Sequence, residues 1–361
     1  MKIALLNLQY DNNYGGNLQR YALITVLQRM GHDVTHLNLR FKFFPESKLQ
    51  YFKIIFWRIY DRVIHGKRAP IFQEFHQRKK YYRDCQNTES FYNKYIKHTK
   101  IIGSKKELSK FQKFDAFIVG SDQVWRKKFT QMHGVESFFF DFVKDSTKRI
   151  IAYGASLGSS ENELSKEDIE KLTPFYKRFS NVSVRELSAL HLLDEYNWSN
   201  PQPTLVLDPT LLLNKKDYID IINNNKTSNC PGNLFCYILD LNNGIEEQIN
   251  HIAQTKNLCP FFSSLKQNGI SVPQWLRAFN DSKFIITDSY HGVLFSIIFQ
   301  KPFYFFQNQF RGNARFENLQ QIFNIQANQE ISNFSCINKE LEKQKNHSFL
   351  FLNNALQYKS F

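Results

Sequence analysis

A histidine stands where a strand-like run gives way to a helix-like one. Phe284 to Thr287 is mostly apolar and predicts a buried strand. Asp288 and Ser289 end it, and His291-Gly292 opens an apolar helix that Lys301-Pro302 closes before a further strand from Phe303 to Phe306. In an open α/β sheet, the carboxyl end of a strand beside a helix N-terminus is where ligands bind. The first N–H groups of such a helix lack intrahelical partners and favour anions. An imidazole at that junction is placed for proton transfer near neutral pH. The plainer role for the same residue is to cap the helix.

Three other stretches carry reactive or anion-seeking residue types. The turn-rich loop Tyr10 to Asn17 follows a first strand, Met1 to Gln9. Its Gly15-Gly16 pair either lets a ligand approach the backbone or only makes a turn. Phe114 to Trp125 is a strand ending in a polar loop, whose Asp122 either orients a substrate hydroxyl or caps the next helix. Asn181 to Glu186 is a short strand with Arg185 at its end. A guanidinium there can clamp a carboxylate or phosphate, or pair with its neighbour Glu186. No metal-ligand spacing occurs, so neither a metal nor another cofactor is expected.

The elements that must position these residues follow a strand–helix rhythm. Leu18, Ala22, Val26 and Met30 recur every fourth residue and predict one helix face, with Gly31 as its stop. Asp33 to Leu39 predicts the next strand, giving a doubly wound opening. The loop is not GxGxxG, so the dinucleotide reading is weak. After a polar stretch from Asn214 to Gly232, a second α/β series begins at Asn233, and a domain boundary is expected near Leu213. A chain of 361 residues is too long for one ordinary core and fits that division.

Phe41 to Lys113 breaks the rhythm. Phe52 to Ile64 is a basic, aromatic, amphipathic helix, and Phe72 to Tyr82 predicts more helix. The formal charge of +14 is concentrated here: Arg40 to Lys113 holds 19 Lys or Arg against 6 Asp or Glu. Such a segment either lies on an anionic membrane surface or covers a sheet with long solvated side chains. Charge alone does not make a nucleic-acid site, and no motif for one is present. With 35 Phe and 17 Tyr in the chain, no single aromatic marks a site. No stretch reaches the roughly 20 apolar residues of a transmembrane helix. The N-terminus lacks a signal-peptide pattern. Cys85, Cys230, Cys236, Cys259 and Cys336 are scattered without a CxxC pair, which argues against a disulfide framework and favours reduced cytoplasm.

Taken together and in order, six motifs resemble the polysaccharide pyruvyl transferase family. They are Asn13-Tyr14-Gly15-Gly16-Asn17-Leu18-Gln19, Val119-Gly120-Ser121-Asp122-Gln123-Val124-Trp125, Tyr153-Gly154-Ala155-Ser156, Val182-Ser183-Val184-Arg185-Glu186, Leu207-Asp208-Pro209-Thr210 and Thr287-Asp288-Ser289-Tyr290-His291-Gly292. The resemblance implies an α/β fold of two Rossmann-like doubly wound domains facing across a cleft, similar to GT-B glycosyltransferases. Residues 1–213 would form the first domain, with the basic helical insertion at about 41–113, and residues 214–361 the second. It implies transfer of a pyruvyl group from phosphoenolpyruvate to a sugar of a surface polysaccharide or its lipid-linked precursor, as a ketal. The expected location is the cytoplasm, at the inner face of the membrane if the basic segment binds anionic lipid.

By the same resemblance His291 is a catalytic candidate, and Asp122 is a lesser candidate for orienting an acceptor hydroxyl. Arg185, Ser289 and Gly292 would hold the donor. Many family members carry an Arg two residues before the His, where this chain has Ser289, so Lys301, Arg311 or Arg315 is expected to supply the missing cation. Asn13, Tyr14, Gly15, Gly16, Asn17, Gln19, Ser121 and Trp125 fall in the motifs assigned to the acceptor side. Two other functions fit the same architecture: a nucleotide-sugar glycosyltransferase, and a non-catalytic polysaccharide assembly protein.

Overall fold

The structure, a computed structural model, describes the whole chain apart from residues 46, 69, 159–160, 264–268, 309–312 and 358–361. Its described strands form two sheets. The first is built from β1 (Lys2–Leu6), β2 (Asp33–His36), β3 (Ala116–Asp122), β4 (Arg149–Ala155), β5 (Asn181–Val184) and β6 (Thr204–Leu205). Their order is β2-β1-β3-β4-β5-β6, and every neighbouring pair is parallel. The second holds β7 (Leu234–Tyr237), β8 (Pro260–Phe262), β9 (Phe284–Thr287), β10 (Phe303–Phe305) and β11 (Glu330–Ile331), in the order β11-β10-β9-β7-β8. Only the edge pair β10–β11 is antiparallel.

Both orders contain the same reversal. The chain leaves β1 for one side of the first sheet and returns on the other at β3; β7 and β9 repeat this in the second. Ligand crevices of open α/β sheets form at such switch points, outside the carboxyl ends of the two strands. The loops after β1, β3, β7 and β9 are therefore the ones the topology brings to the cleft. The central strands are buried on both faces, as parallel strands flanked by helices must be. Ile3 and Leu5 of β1 face one core cluster, and Ala4 and Leu6 face another.

Three features differ from the sequence reading. The loop expected over Tyr10 to Asn17 is shorter, because helix α1 (Tyr14–Arg29) already starts at Tyr14, and the Asn13 side chain accepts the Gly16 N–H at 3.2 Å as its N-cap. Gly15 and Gly16 thus form the first turn of a helix. In the insertion, α2 (Lys48–Ile64) covers no sheet: none of its residues is buried. It leans on α3 (Gln73–Tyr95) through Arg58, which pairs with Glu74 at 2.8 Å. Asp122 does not cap the helix after it, because its Oδ1 instead accepts the N–H of Gln123 at 2.9 Å.

The halves share a core. One apolar cluster runs from Leu5 and Leu18 through Leu211 and Tyr218 to Trp275, Ile285 and Phe295. The last helix, Ser335–Leu356, also returns to the first half. Its Ser348 Oγ accepts the Leu207 N–H at 3.0 Å, and Arg149 donates to the carbonyls of Ala355 and Gln357 at 2.8 and 2.6 Å.

Candidate active site

Where the four switch-point loops converge lies a cavity of 490 Å³, a size suited to a small ligand pair. Asp11 and Asn13 come from the loop after β1 and Asp122 from the end of β3. Asp240 follows β7, and Asp288, Ser289, Tyr290 and His291 follow β9. Arg126 and Lys128 line the cavity from the first half, and Arg315 from a helix of the second.

His291 is the second residue of the helix Tyr290–Phe299, whose N-cap is Ser289. It does not cap that helix. Its ring points across the cleft to the first turn of α1, where a Cβ added to Gly15 would overlap it. That close approach requires glycine at position 15. Nε2 of His291 faces Asp208 Oδ2 at 3.8 Å, and among the described residues it has no hydrogen-bond partner. Burial pushes the imidazole down to about 4; Asp208 and Asp122 oppose the shift, and Arg185 and Arg315 add to it. Without a ligand the ring is therefore neutral at pH 7.

Behind the imidazole lies a buried network. Arg185, fully enclosed, donates to Asp208 Oδ2 at 2.8 Å, to Ser121 Oγ at 3.2 Å and to Asp122 Oδ1 at 3.2 Å, with Glu186 at 3.7 Å from its Nε. Asp208 also accepts from Gln19 Nε2 and from the N–H and hydroxyl of Thr210 at 3.1 and 2.8 Å. Burial would raise both aspartates, but Arg185, together with the other nearby positive groups and the hydrogen bonds from Gln123 and Thr210, outweighs it and holds each carboxyl below its usual range. Burial also works against the Arg185 charge, and the surrounding carboxylates more than offset it, so its pKa rises. Asp122 sits in the left-handed region at φ 84°. For a residue with a Cβ this is a strained conformation, and such strain collects at functional sites. Tyr290 lies between two guanidinium groups, with Arg185 at 5.3 Å and Arg315 at 5.2 Å from its ring centre.

The family model for polysaccharide pyruvyl transferases matches residues 13–309, most of the chain. The chain belongs to the polysaccharide pyruvyl transferase family. No curated protein matches it. Among solved structures, a UDP-GlcNAc 2-epimerase of Methanocaldococcus jannaschii in complex with UDP-GlcNAc and UDP aligns at 14% identity over 96% of this chain and 93% of its own, with a TM-score of 0.43. MnaA of S. aureus with UDP aligns at 12% identity over 98% and 91%, with a TM-score of 0.47. An alpha-glucosyltransferase in complex with UDP aligns at 9% over 100% and 97%, with a TM-score of 0.44.

Of the residues singled out in the sequence, Asn13, Asp122, Ser289 and His291 from the family motifs and Arg315 from the expected cations line the cavity. Gly15, Gln19, Ser121 and Arg185 form the layer behind it. Asn17 is structural: its Nδ2 donates to the carbonyls of Asp11 and Asn13 at 3.1 and 2.9 Å. Gly16 stands at the Asn13 cap, and Gly292 lets the helix start against Thr287, which a Cβ there would overlap. Tyr14 points away, donating to the Ile270 carbonyl at 2.6 Å and stacking on Trp275. Trp125 is buried against Phe139, with its indole N–H on the Phe138 carbonyl at 3.3 Å, so it cannot meet an acceptor. Lys301 follows the C-cap of the ten-residue helix that Tyr290 opens, about 15 Å along the helix axis from position 291 at 1.5 Å per residue. Arg311 lies outside the described residues. Among the described residues, Arg315 is the expected cation that lines the cavity. The sequence reading missed Asp208 as a site residue; its motif with Pro209 and Thr210 was the available signal. Asp11, Asp240 and Tyr290 it also left out. Among the described residues no group of three or more His, Cys, Asp or Glu could hold a metal ion.

Proposed function

We propose that the protein transfers a pyruvyl group from phosphoenolpyruvate to two hydroxyls of a sugar in a surface polysaccharide or its lipid-linked precursor. The observation that carries this reading is His291 at a helix N-terminus, lining the same cavity as Arg315, with Nε2 turned to Asp208 and without a hydrogen-bond partner among the described residues. Phosphoenolpyruvate has a carboxylate and a phosphate, and cations and helix N-termini stabilise both. Arg315, Lys128 and the first N–H groups of the helix Tyr290–Phe299 take that part. Arg185 is already surrounded by carboxylates, so its part is to hold Asp122 and Asp208 in place.

The reaction adds a proton to the enol methylene and leaves a cation-like centre at the neighbouring carbon. One sugar hydroxyl attacks that carbon and loses its proton. The second hydroxyl attacks the same carbon and expels phosphate, which carries off the remaining proton. His291 passes protons between hydroxyl and methylene. As a neutral ring it must first gain a proton, and the bound donor anion favours that charge. Asp122 orients an acceptor hydroxyl.

The test is purified protein with phosphoenolpyruvate and a panel of free and lipid-linked sugars, read by mass gain of the sugar and phosphate release. His291→Ala should lose about 10²–10⁴-fold in turnover, the usual worth of general acid–base help, with circular dichroism unchanged. Near-wild-type turnover would remove His291 from the mechanism. Release of nucleotide from a sugar nucleotide, without phosphate from phosphoenolpyruvate, would replace pyruvyl transfer with glycosyl transfer.

A further inference from the structure

Helix α2 is mounted inside out. At about 100° per residue, Leu49, Phe52, Phe56, Trp57, Ile59, Tyr60, Val63 and Ile64 fall on one arc of the wheel about 160° wide. All eight are exposed, from 41% for Tyr60 to 74% for Val63. The side turned to the protein holds Tyr51, Ile54, Ile55, Arg58 and Asp61, and Arg58 makes the ion pair with Glu74. A helix that only covered a sheet would present the opposite face. An apolar patch of this extent in water marks an interaction surface.

The charge around the patch says what covers it. Lys48, Lys53, Arg62, Lys79 and Lys80 are exposed on α2 and α3, and nearly all of the chain's positive excess lies between Arg40 and Lys113. Lys53 falls inside the apolar arc, where its long stem can lie along the patch with the ammonium at the polar layer. Arg78 and Tyr82 of α3 also line an open groove of 570 Å³ with Lys42, Lys106 and Lys110, which extends the basic surface. No described helix is long and apolar enough to cross a membrane.

We propose that α2 docks in the plane of an anionic lipid surface, with its Phe52–Phe56–Trp57–Val63 face among the acyl chains and its lysines and arginines on the phosphates. Apolar burial and attraction to anionic headgroups together give such helices their affinity. The docked helix connects to the cavity through α3: Tyr81 donates to the Tyr10 carbonyl at 2.7 Å, and the Tyr10 hydroxyl meets Thr88 Oγ1 at 2.6 Å. Asp11, the next residue, lines the cavity. A sugar carried on a lipid would thus be offered beside the surface that holds it.

Trp57 provides the test. It is 60% exposed, whereas Trp125, Trp198 and Trp275 are buried. The full chain is mixed with phosphatidylcholine vesicles with and without phosphatidylglycerol, and Trp emission and co-sedimentation are read. The expected result is a blue shift, quenching by brominated lipid, and at least tenfold tighter binding to the anionic vesicles that weakens with salt. Phe52→Glu with Phe56→Glu should abolish binding while leaving turnover of a water-soluble acceptor unchanged. The proposal is overturned if neither vesicle shifts Trp57, if the double variant binds as well as the parent, or if the shift arises without lipid in a concentration-dependent dimer or with an acidic protein. No turnover enters the vesicle assay, so its failure leaves pyruvyl transfer standing.

Discussion

His291 combines two properties that oppose each other in water. It is enclosed enough to be neutral, yet it faces the carboxylate of Asp208 at 3.8 Å, a partner suited to its charged form. A bound dianion tips this balance toward protonation, so donor binding should take up a proton. The sign follows from the imidazole's depressed pKa of about 4: above that value the free ring is neutral, and protonation on binding tightens the complex as pH falls. Phosphoenolpyruvate affinity should rise by up to about tenfold per pH unit between pH ~8 and ~6. Titration calorimetry on the parent and on His291→Asn separates the ring's contribution from that of the donor's own ionisation. Equal slopes in the two proteins would show that His291 stays neutral in the complex. At this scale the sequence was informative for residues at chain junctions. His291, Ser289 and Asp122 each sit where an apolar run ends, and such ends reach the cleft. Trp125, three residues beyond Asp122, turns back into the aromatic core, a choice set by Phe139 and Phe138 from a separate segment. Asp208 belongs to a turn in mid-chain and acquires its role only by meeting Arg185 and Gln19 from two other segments.

Elements decide how these side chains are aimed. The end of β3 is turned by Asp122 in its left-handed conformation, which directs one carboxylate oxygen to Arg185 and the Gln123 N–H. At an ordinary strand position glycine is less stable than alanine by roughly 0.5–1 kcal/mol. Here the order should reverse. Asp122→Gly and Asp122→Ala both lose the ion pair, but only alanine keeps the cost of a Cβ at positive φ, roughly 1–2 kcal/mol. Urea unfolding should rank the glycine variant about 1 kcal/mol above the alanine one, and a ranking the other way would mean the backbone relaxes without the carboxylate. The order of strands and helices was readable from the alternation of apolar runs and polar junctions. Which way α2 faces was not. Its wheel shows an apolar arc, but only contacts made by Arg58 with Glu74 and the Ile71 carbonyl reveal that the other side is the one fastened down. The start of α1 was hidden too, because two adjacent glycines look like a loop until Asn13 caps them and His291 fills the space above Gly15.

At the scale of the molecule, the apolar cluster that runs through α1, the turn at Leu211, Trp275 and Phe295 joins both sheets. Each half keeps a smaller cluster of its own, but the shared one couples their unfolding. Denaturation should therefore be a single cooperative step, with Trp fluorescence and far-ultraviolet circular dichroism giving coincident curves. Trp125 and Trp198 report the first half and Trp275 the shared cluster; two displaced transitions would show that the halves melt independently. The backbone itself passes between the halves twice, once between β6 and β7 and again where the helix Ser335–Leu356 returns to Leu207 and Arg149. Two tethers remove most of the freedom one would leave. With the shared cluster they resist twist and slide, so any opening of the cleft is confined to a swing about the line that joins the crossings, as a book opens on its spine. Gly15 and His291 would then part and meet along one fixed arc.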